Sequence, residues 1–255
     1  LRAGADIVTS ASYQATVEGF VKRGFAKEEA AALIQKSVRL AQEARDLYLA
    51  ERGADGAVPL VAASVGPYGA YLTDGSEYRG DYDVDEDALT AFHAGRLALL
   101  AEAKPDLLAC ETLPCLVEAR AIVRALRQED IHIHAWFSFS CRDVAHISDG
   151  TEITACARFL NDVPEAAAIG LNCTAPQYVE ELIRAIRSET AKPIVVYPIS
   201  GEHYNTSDQS WHGAAEDFGR AAHRWRSAGA RLIGGCCRTT PREIAEIAAW
   251  AKSAE

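Results

Sequence analysis

The sequence predicts an α/β fold of the (β/α)8 TIM-type barrel class, apparently lacking its first strand-helix unit. Three observations predict this class. Short apolar runs alternate with longer amphipathic stretches, no low-complexity linker separates them, and the strand-helix units number seven. A length of 255 residues suits one large barrel, so we expect a single domain over 1–255.

Each element follows from a local pattern. Apolar runs predict strands at 6–10, 59–64, 107–110, 131–137, 166–171, 194–197 and 231–234. Apolar residues at three-to-four spacing predict helices at 27–52, 85–103, 115–128, 151–161, 177–188, 213–228 and 241–252. Before the last helix, Thr240, Pro241 and Glu243 predict a capping box that fixes where the helix begins.

An internal similarity predicts an eighth unit. LRAGADIVTS at the start and WRSAGARLIGG near the end share a helix tail, a glycine stop and a strand. We therefore expect Leu1 to lie inside a helix that follows an earlier strand, and the absence of Met agrees with a start further upstream. One more unit makes eight, the number that closes a β/α barrel.

Composition and charge exclude several classes of protein. The net charge is -10, from 36 acidic and 26 basic residues, so we expect no nucleic-acid or membrane partner and favour a cationic ligand. The chain has no apolar run long enough to span a bilayer and no signal peptide, which predicts a cytoplasmic location. Seven scattered cysteines are then expected to be reduced.

Cysteines and one acid follow the predicted strands directly, in LLACETLP, AIGLNCTAP and LIGGCCRTTP. Glu111, Cys173, Cys236 and Cys237 therefore lie at the carboxyl ends of strands, where barrel enzymes place their chemistry. Two glycines before Cys236 allow a tight turn, so that the adjacent cysteines point toward one place beside Cys173.

Three thiolates favour zinc with one open position, at which a substrate thiol would lose its proton and attack a soft cationic methyl donor. Cysteines that only pack in the core are an equally good interpretation of the spacing. We expect such packing for the other four, Cys110, Cys115, Cys141 and Cys156.

Several further polar residues have two interpretations each. Glu111 either orients a substrate ammonium or pairs with an arginine, and its position at a strand end favours the first. The long loops 64–83 and 200–211 either bind a cation through aromatic faces or form a rigid cover. His203 is the histidine that we expect to contact substrate, whereas His132 and His134 are interpreted as structural.

Together these segments resemble bacterial homocysteine S-methyltransferases over nearly the whole chain, most closely the branch that uses S-methylmethionine. The similar segments are SASYQAT (10–16), SVGPYGAYLTDGSEYRGDY (64–82), LLACETLP (107–114), WFSFS (136–140), GLNC (170–173), VVYPISGEHY (195–204) and ARLIGGCCRTTP (230–241). Family members also have an earlier DGAMAT-like segment, which this sequence lacks.

The resemblance implies an enzyme that transfers a methyl group from S-methylmethionine, or S-adenosylmethionine, to homocysteine and releases methionine. It implies Zn2+ on Cys173, Cys236 and Cys237, and it places Glu111, Asn172 and, more loosely, Gln14 near the bound amino acid. Two alternatives stay open. One is a truncated, non-catalytic zinc-binding barrel, and the other is a betaine-type or cobalamin-linked homocysteine methyltransferase.

Overall fold

The computed structural model describes residues 1–53, 56–205, 210–213 and 215–253. The strands are β1 (Ile7–Thr9), β2 (Leu60–Val65), β3 (Leu107–Leu113), β4 (Ala135–Phe139), β5 (Ala166–Asn172), β6 (Ile194–Tyr197), β7 (His203–Asn205), β8 (Ser210–His212) and β9 (Ala230–Ile233). The helices are α1 (Val17–Lys22), α2 (Lys27–Arg52), α3 (Tyr68–Leu72), α4 (Glu86–Glu102), α5 (Leu116–Gln128), α6 (Ile153–Asn161), α7 (Val179–Glu189), α8 (Phe218–Ala228) and α9 (Pro241–Ser253).

Seven parallel strands form one curled sheet in the order β1-β2-β3-β4-β5-β6-β9. Within the described part of the chain, β1 and β9 are the two edges of this sheet, so the barrel is incomplete. The fold class is therefore confirmed, and each predicted strand of the sheet is present. Each predicted helix is present as well. A short antiparallel pair, β7 and β8, lies outside the sheet.

Alternation along the strands divides the apolar residues into two layers. Leu108, Cys110 and Phe137 belong to the large core between the sheet and the helices. Ala109 and Trp136 face the other way, into the barrel, with a small cluster of other inward residues. Because three of these inward residues are alanines (Ala62, Ala109 and Ala168), the barrel retains open space.

Several boundaries differ from the predictions. The strand predicted at 131–137 begins at Ala135, so His132 and His134 lie exposed in the segment before it. The helix predicted from 213 begins at Phe218. Residues 1–4 form a turn, closed by Gly4 N donating to Leu1 O, where we expected a helix. Local patterns missed the short helices α1 and α3 because each is only five or six residues long.

The predicted capping box is present at α9. Glu243 accepts hydrogen bonds from the backbone N–H and the hydroxyl of Thr240, both at 2.7 Å, and the Thr240 hydroxyl accepts from Arg242 N at 3.2 Å. These hydrogen bonds hold the pKa of Glu243 at about 2. The start of α9, just after the cysteine pair, is thereby fixed.

No helix among the described residues has the length and apolar composition that a membrane span requires. The cytoplasmic location stays a prediction.

Candidate metal centre and substrate cavity

A cavity of about 610 Å3 lies inside the curled sheet. Toward the open edge it is lined by apolar residues of the two edge strands and of α9, among them Ile7, Leu232 and Ile247. At the carboxyl ends of the strands its lining changes to polar and sulfur-containing side chains. The predicted residues Glu111, Asn172, Cys173, Cys236 and Cys237 all belong to this lining.

The three predicted cysteines converge at one point. Their sulfur atoms lie within 4.8 Å of one another, and they form the one group of three or more potential ligands found among the described residues. The sulfur of Cys237 is 3.7 Å from that of Cys173 and 3.9 Å from that of Cys236. Zinc–sulfur bonds of about 2.3 Å place the sulfurs of a tetrahedral site about 3.8 Å apart, so both distances fit this geometry.

In the structure Cys173 and Cys236 are joined as a disulfide, with 5.6 Å between their Cα atoms. We expected all seven cysteines to be reduced, and for this pair the structure differs because the two thiols lie within bonding reach. Metal binding requires thiolates, so the disulfide and a three-sulfur metal site exclude each other. Cys237 remains a free thiol whose pKa is raised by burial.

Backbone geometry brings the cysteines together. Cys173 has a φ of 47°, in the left-handed region, which turns the chain sharply at the end of β5. At Gly235 any side chain would collide with Thr239, since a Cβ there would lie 2.5 Å from the Thr239 hydroxyl oxygen. Cys236 N donates to Pro198 O at 2.8 Å, which ties the cysteine pair to the end of β6.

Five consecutive strands each contribute one inward polar residue to a chain of hydrogen bonds that runs around the inside of the sheet, which we call the polar ring. Its members are Ser64, Glu111, Ser138, Asn172 and Tyr197. The Tyr197 hydroxyl donates to Glu111 at 2.9 Å and accepts from Trp136 Nε1 at 2.9 Å. Ser64 donates a short hydrogen bond to the other carboxylate oxygen of Glu111.

Opposing effects act on the pKa of Glu111, the acidic residue of the polar ring. Burial raises the pKa of Glu111, whereas the hydrogen bonds from Ser64 and Tyr197 and the positive charge of Arg96 lower it. Burial and the Glu111 charge raise the pKa of Tyr197, so its hydroxyl keeps the proton that it donates. The carboxylate therefore lies in a cavity with donors placed to support its charged form.

Asn172 connects the ring to the strand end beside it. Its amide oxygen accepts from Thr112 N at 2.7 Å and from the Ser138 hydroxyl at 2.8 Å, and its amide nitrogen donates to Thr112 Oγ1 at 2.7 Å. Thr112 has a φ of 58° and lies in a register shift of β3. Asn172 thus holds an unfavourable backbone conformation next to Glu111.

The remaining predicted residues lie elsewhere. Gln14 is exposed, and its amide donates to Ala70 O at 3.2 Å, so its part in binding stays a prediction. The side chain of His203 and residues 206–209 of the second long loop lie outside what the structure describes. Cys110, Cys115, Cys141 and Cys156 are buried, as expected for core packing.

The aromatic residues of the first long loop have two different environments, and its role in cation binding stays a prediction. Tyr68, Tyr71 and Tyr82 pack in an aromatic cluster with Phe92 of α4, which makes them part of a rigid cover. Tyr78 instead lines the cavity, and burial raises its pKa to about 12.

Tyr13, Ser64, Trp136, Ser138 and Tyr197 were not singled out as site residues from the sequence. Each lies in a segment that resembles the family. Four of them lie on strands, and they face the cavity because strand residues alternate between the two faces of the sheet. The sequence shows part of this alternation. Ala62 and Ser64, or Val195 and Tyr197, are two residues apart, so each pair lies on one face of its strand.

The fold and the site together define a β/α-barrel protein with a three-cysteine centre at the carboxyl end of its sheet. The sequence profile of the family described as Homocysteine S-methyltransferase matches residues 1–251. Homocysteine S-methyltransferase YbgG of Bacillus subtilis (strain 168) is 53% identical over 255 residues, which covers 98% of this chain and 81% of that protein.

Two crystal structures of the homocysteine methyltransferase MmuM from Escherichia coli are also similar. The metallated form matches with a TM-score of 0.87 at 46% identity, and the oxidized form with 0.86 at 47% identity. Each alignment covers 97% of this chain and 80% of that protein. The chain belongs to the homocysteine S-methyltransferase family of enzymes, and the family resemblance inferred from its sequence is confirmed.

Proposed function

We propose that this chain transfers a methyl group from a sulfonium donor to homocysteine, with Zn2+ held by Cys173, Cys236 and Cys237. The observation that carries the proposal is the convergence of three cysteine sulfurs in the same cavity as a hydrogen-bonded carboxylate. The proposed products are methionine and the demethylated donor.

Zinc is the metal that the ligand set favours. Sulfur ligands select zinc over harder cations, and three protein ligands leave a fourth position for a substrate atom. Bound there, zinc would supply Lewis acidity that lowers the pKa of the homocysteine thiol, so that its sulfur is nucleophilic at neutral pH. The S···S distances from Cys237 of 3.7 and 3.9 Å support this assignment once the disulfide is reduced.

Glu111 is the proposed partner of the homocysteine ammonium. Its carboxylate is supported by two hydroxyl donors and by the charge of Arg96, which suits an acid that binds a cation in its charged form. Asn172 is proposed to act by holding Thr112 and Ser138 in place, since both ends of its amide are already used on them. Gln14 is kept as a weaker proposal.

The donor is proposed to lie against the aromatic rings that line the cavity. Tyr13, Tyr78 and Trp136 line the cavity, and a sulfonium cation is attracted by aromatic faces. A quaternary ammonium such as betaine is attracted by aromatic rings in the same way, so the rings alone do not distinguish the two classes of donor. S-methylmethionine is preferred because the segment 64–82, which contains Tyr78, resembles the branch that uses it.

A donor panel tests the proposal. Purified, reduced and zinc-loaded enzyme is mixed with homocysteine and either S-methylmethionine, S-adenosylmethionine or betaine, and methionine is measured. We expect S-methylmethionine to give the largest kcat/KM. Turnover with betaine alone would overturn the sulfonium assignment, and no turnover with any donor would favour a non-catalytic barrel.

Substitution of Tyr78 separates the aromatic face from the hydroxyl. Tyr78→Phe keeps the ring and should change the donor KM little. Tyr78→Ala loses a cation–π contact of about 0.5–2 kcal/mol, which raises the donor KM by about 2- to 30-fold. Equal effects of both substitutions would show that the hydroxyl, not the ring, binds the donor.

A further inference from the structure

Arg96 is a buried cation whose charge supports Glu111 but whose hydrogen bonds the proposed chemistry does not use. It lies on α4 with only 3% of its surface exposed. Its guanidinium donates to Gly66 O at 2.9 Å, to Tyr13 O at 2.8 Å and to Ser12 O at 3.4 Å. Burial lowers its pKa only to about 10, so it stays charged at neutral pH.

These acceptors belong to two different loops at the carboxyl end of the sheet. Ser12 and Tyr13 follow β1, whereas Gly66 follows β2, so one guanidinium bridges the two loops. A planar group with several fixed donors suits this task, because it reaches separate carbonyl oxygens at once. Its hydrogen bonds go to backbone carbonyls instead of to a carboxylate, which points to a positioning role.

The bridge lies directly behind a cavity residue. A Cβ on Gly66 would be 2.5 Å from Tyr13 O and 2.6 Å from the Tyr13 ring, so the loops already touch here without space for a methyl group. The ring of Tyr13 then continues into the cavity lining. The guanidinium therefore holds the backbone from which this ring extends, while the Tyr13 hydroxyl is hydrogen-bonded to Thr112.

A buried carboxyl group holds the other end of the same segment. Glu118 on α5 accepts from Tyr68 N at 2.5 Å and contacts His93 Nε2 at 2.9 Å, and both side chains are fully buried. Gly66 and Tyr68, two residues apart, are thus held by side chains from two helices behind the sheet. The segment between them is anchored at both ends.

We infer that Arg96 is a positioning residue for the methyl donor: by joining the loops after β1 and β2, it sets the ring of Tyr13 against the donor side of the cavity. The inference rests on the proposed function for the identity of that ligand. Arg96 would then control the affinity for the methyl donor from outside the cavity, without contacting the donor.

The test compares Arg96→Lys, which keeps the charge but not the planar donor array, with wild-type holoenzyme. We expect the donor KM to rise about tenfold, with the homocysteine KM and kcat changed by less than about threefold. Zinc content should be unchanged. Arg127→Lys is the matched control, because Arg127 pairs with Glu165 on the surface, and it should leave all three quantities at the wild-type values.

A double-mutant cycle distinguishes positioning from general destabilisation. If Arg96 acts through Tyr13, then Arg96→Lys added to Tyr13→Ala should raise the donor KM no further. Multiplying effects would overturn the inference, as would a folded Arg96→Lys enzyme with an unchanged donor KM. If Arg96→Lys fails to fold, Arg96→Gln is measured in the same cycle. Because Arg96→Gln also removes the charge that supports Glu111, its readouts are zinc content and donor KM, and a parallel fall in zinc content and in donor affinity indicates a merely structural role.

The double-mutant cycle tests the role of Arg96 whichever donor the enzyme uses. The cycle is run with whichever donor the wild type accepts in the panel. A wild type that rejects sulfonium donors refutes the proposed function, whereas a cycle with multiplying effects on an accepted donor refutes the role of Arg96.

Discussion

The hydroxyl of Tyr197 offers a direct test of how the cavity binds homocysteine. It donates to Glu111 at 2.9 Å, so Tyr197→Phe removes one hydrogen bond to a charged group while the ring keeps its place. Such a bond favours the charged form of Glu111 by about 1.5–3 kcal/mol, so at pH values where its loss leaves Glu111 protonated, homocysteine binding should weaken by up to about 10- to 150-fold.

The same substitution should move the pH dependence of binding in a defined direction. Glu111 binds an ammonium only as the anion, which is present above its pKa and is lost as the pH falls through it. Burial already raises this pKa, and the bond from Tyr197 lowers it, so removing that bond raises it further. Affinity for homocysteine should therefore begin to fall at a higher pH in the variant, by about one pH unit per 1.4 kcal/mol lost.

Calorimetric titration of homocysteine into zinc-loaded enzyme across about pH 5–8 measures both effects. Tyr71→Phe is the control, because it also removes one hydroxyl but lies in the aromatic cluster with Phe92, where we expect wild-type binding. An unchanged dissociation constant and an unchanged acid limb in Tyr197→Phe would refute the assignment of Glu111 to the substrate ammonium.

Three further predictions follow from single contacts. Glu243→Gln should destabilise the fold at pH 7 by about 1–2 kcal/mol in denaturant titrations, and the difference, present above about pH 4.5, should vanish as the pH falls toward the native pKa of about 2. Reduced Cys237→Ser should lose its zinc in metal analysis, whereas buried Cys156→Ala should keep it. Gly170→Ala would place a Cβ 1.7 Å from Val195 O, so thermal unfolding should show a loss of about 3 kcal/mol or more, and a wild-type melt would contradict this.

The convergence of the three cysteines could be predicted because it depends on the order of the strands in the sheet. Cys173 and the Cys236–Cys237 pair follow two strands, β5 and β9, that are separated by β6 in the sheet. The carboxyl ends of parallel strands meet at one rim, so placing the strands was enough to place the sulfurs near each other. The disulfide between Cys173 and Cys236 depends on side-chain distances that spacing does not specify.

The polar ring and the Arg96 bridge could not be predicted in the same way. Glu111 faces inward by alternation, but the chain around Thr112 departs from regular pairing in a register shift, and no local pattern predicts a threonine with a φ of 58°. Arg96 lies on a helix, 30 residues from Gly66 and 83 from Tyr13. Its partners are backbone carbonyls, which no residue type marks in a sequence.

The polar ring and the three cysteines are held by different kinds of bond, so a substitution can disrupt one without the other. Tyr197 joins the polar ring through its hydroxyl, but it joins Cys173 through its backbone, since Cys173 N donates to Tyr197 O at 3.2 Å. Tyr197→Phe removes the hydroxyl's bonds to Glu111, Trp136 and Ser138 but keeps the backbone bond, so zinc content should be unchanged while homocysteine affinity falls. Gly235→Ala does the reverse: it pushes against Thr239 beside Cys236 and leaves Glu111 untouched. Gly235→Ala should therefore lower zinc affinity, measured by competition with a chelator. If Tyr197→Phe and Gly235→Ala lost zinc equally, the polar ring and the three cysteines would not be independent of each other.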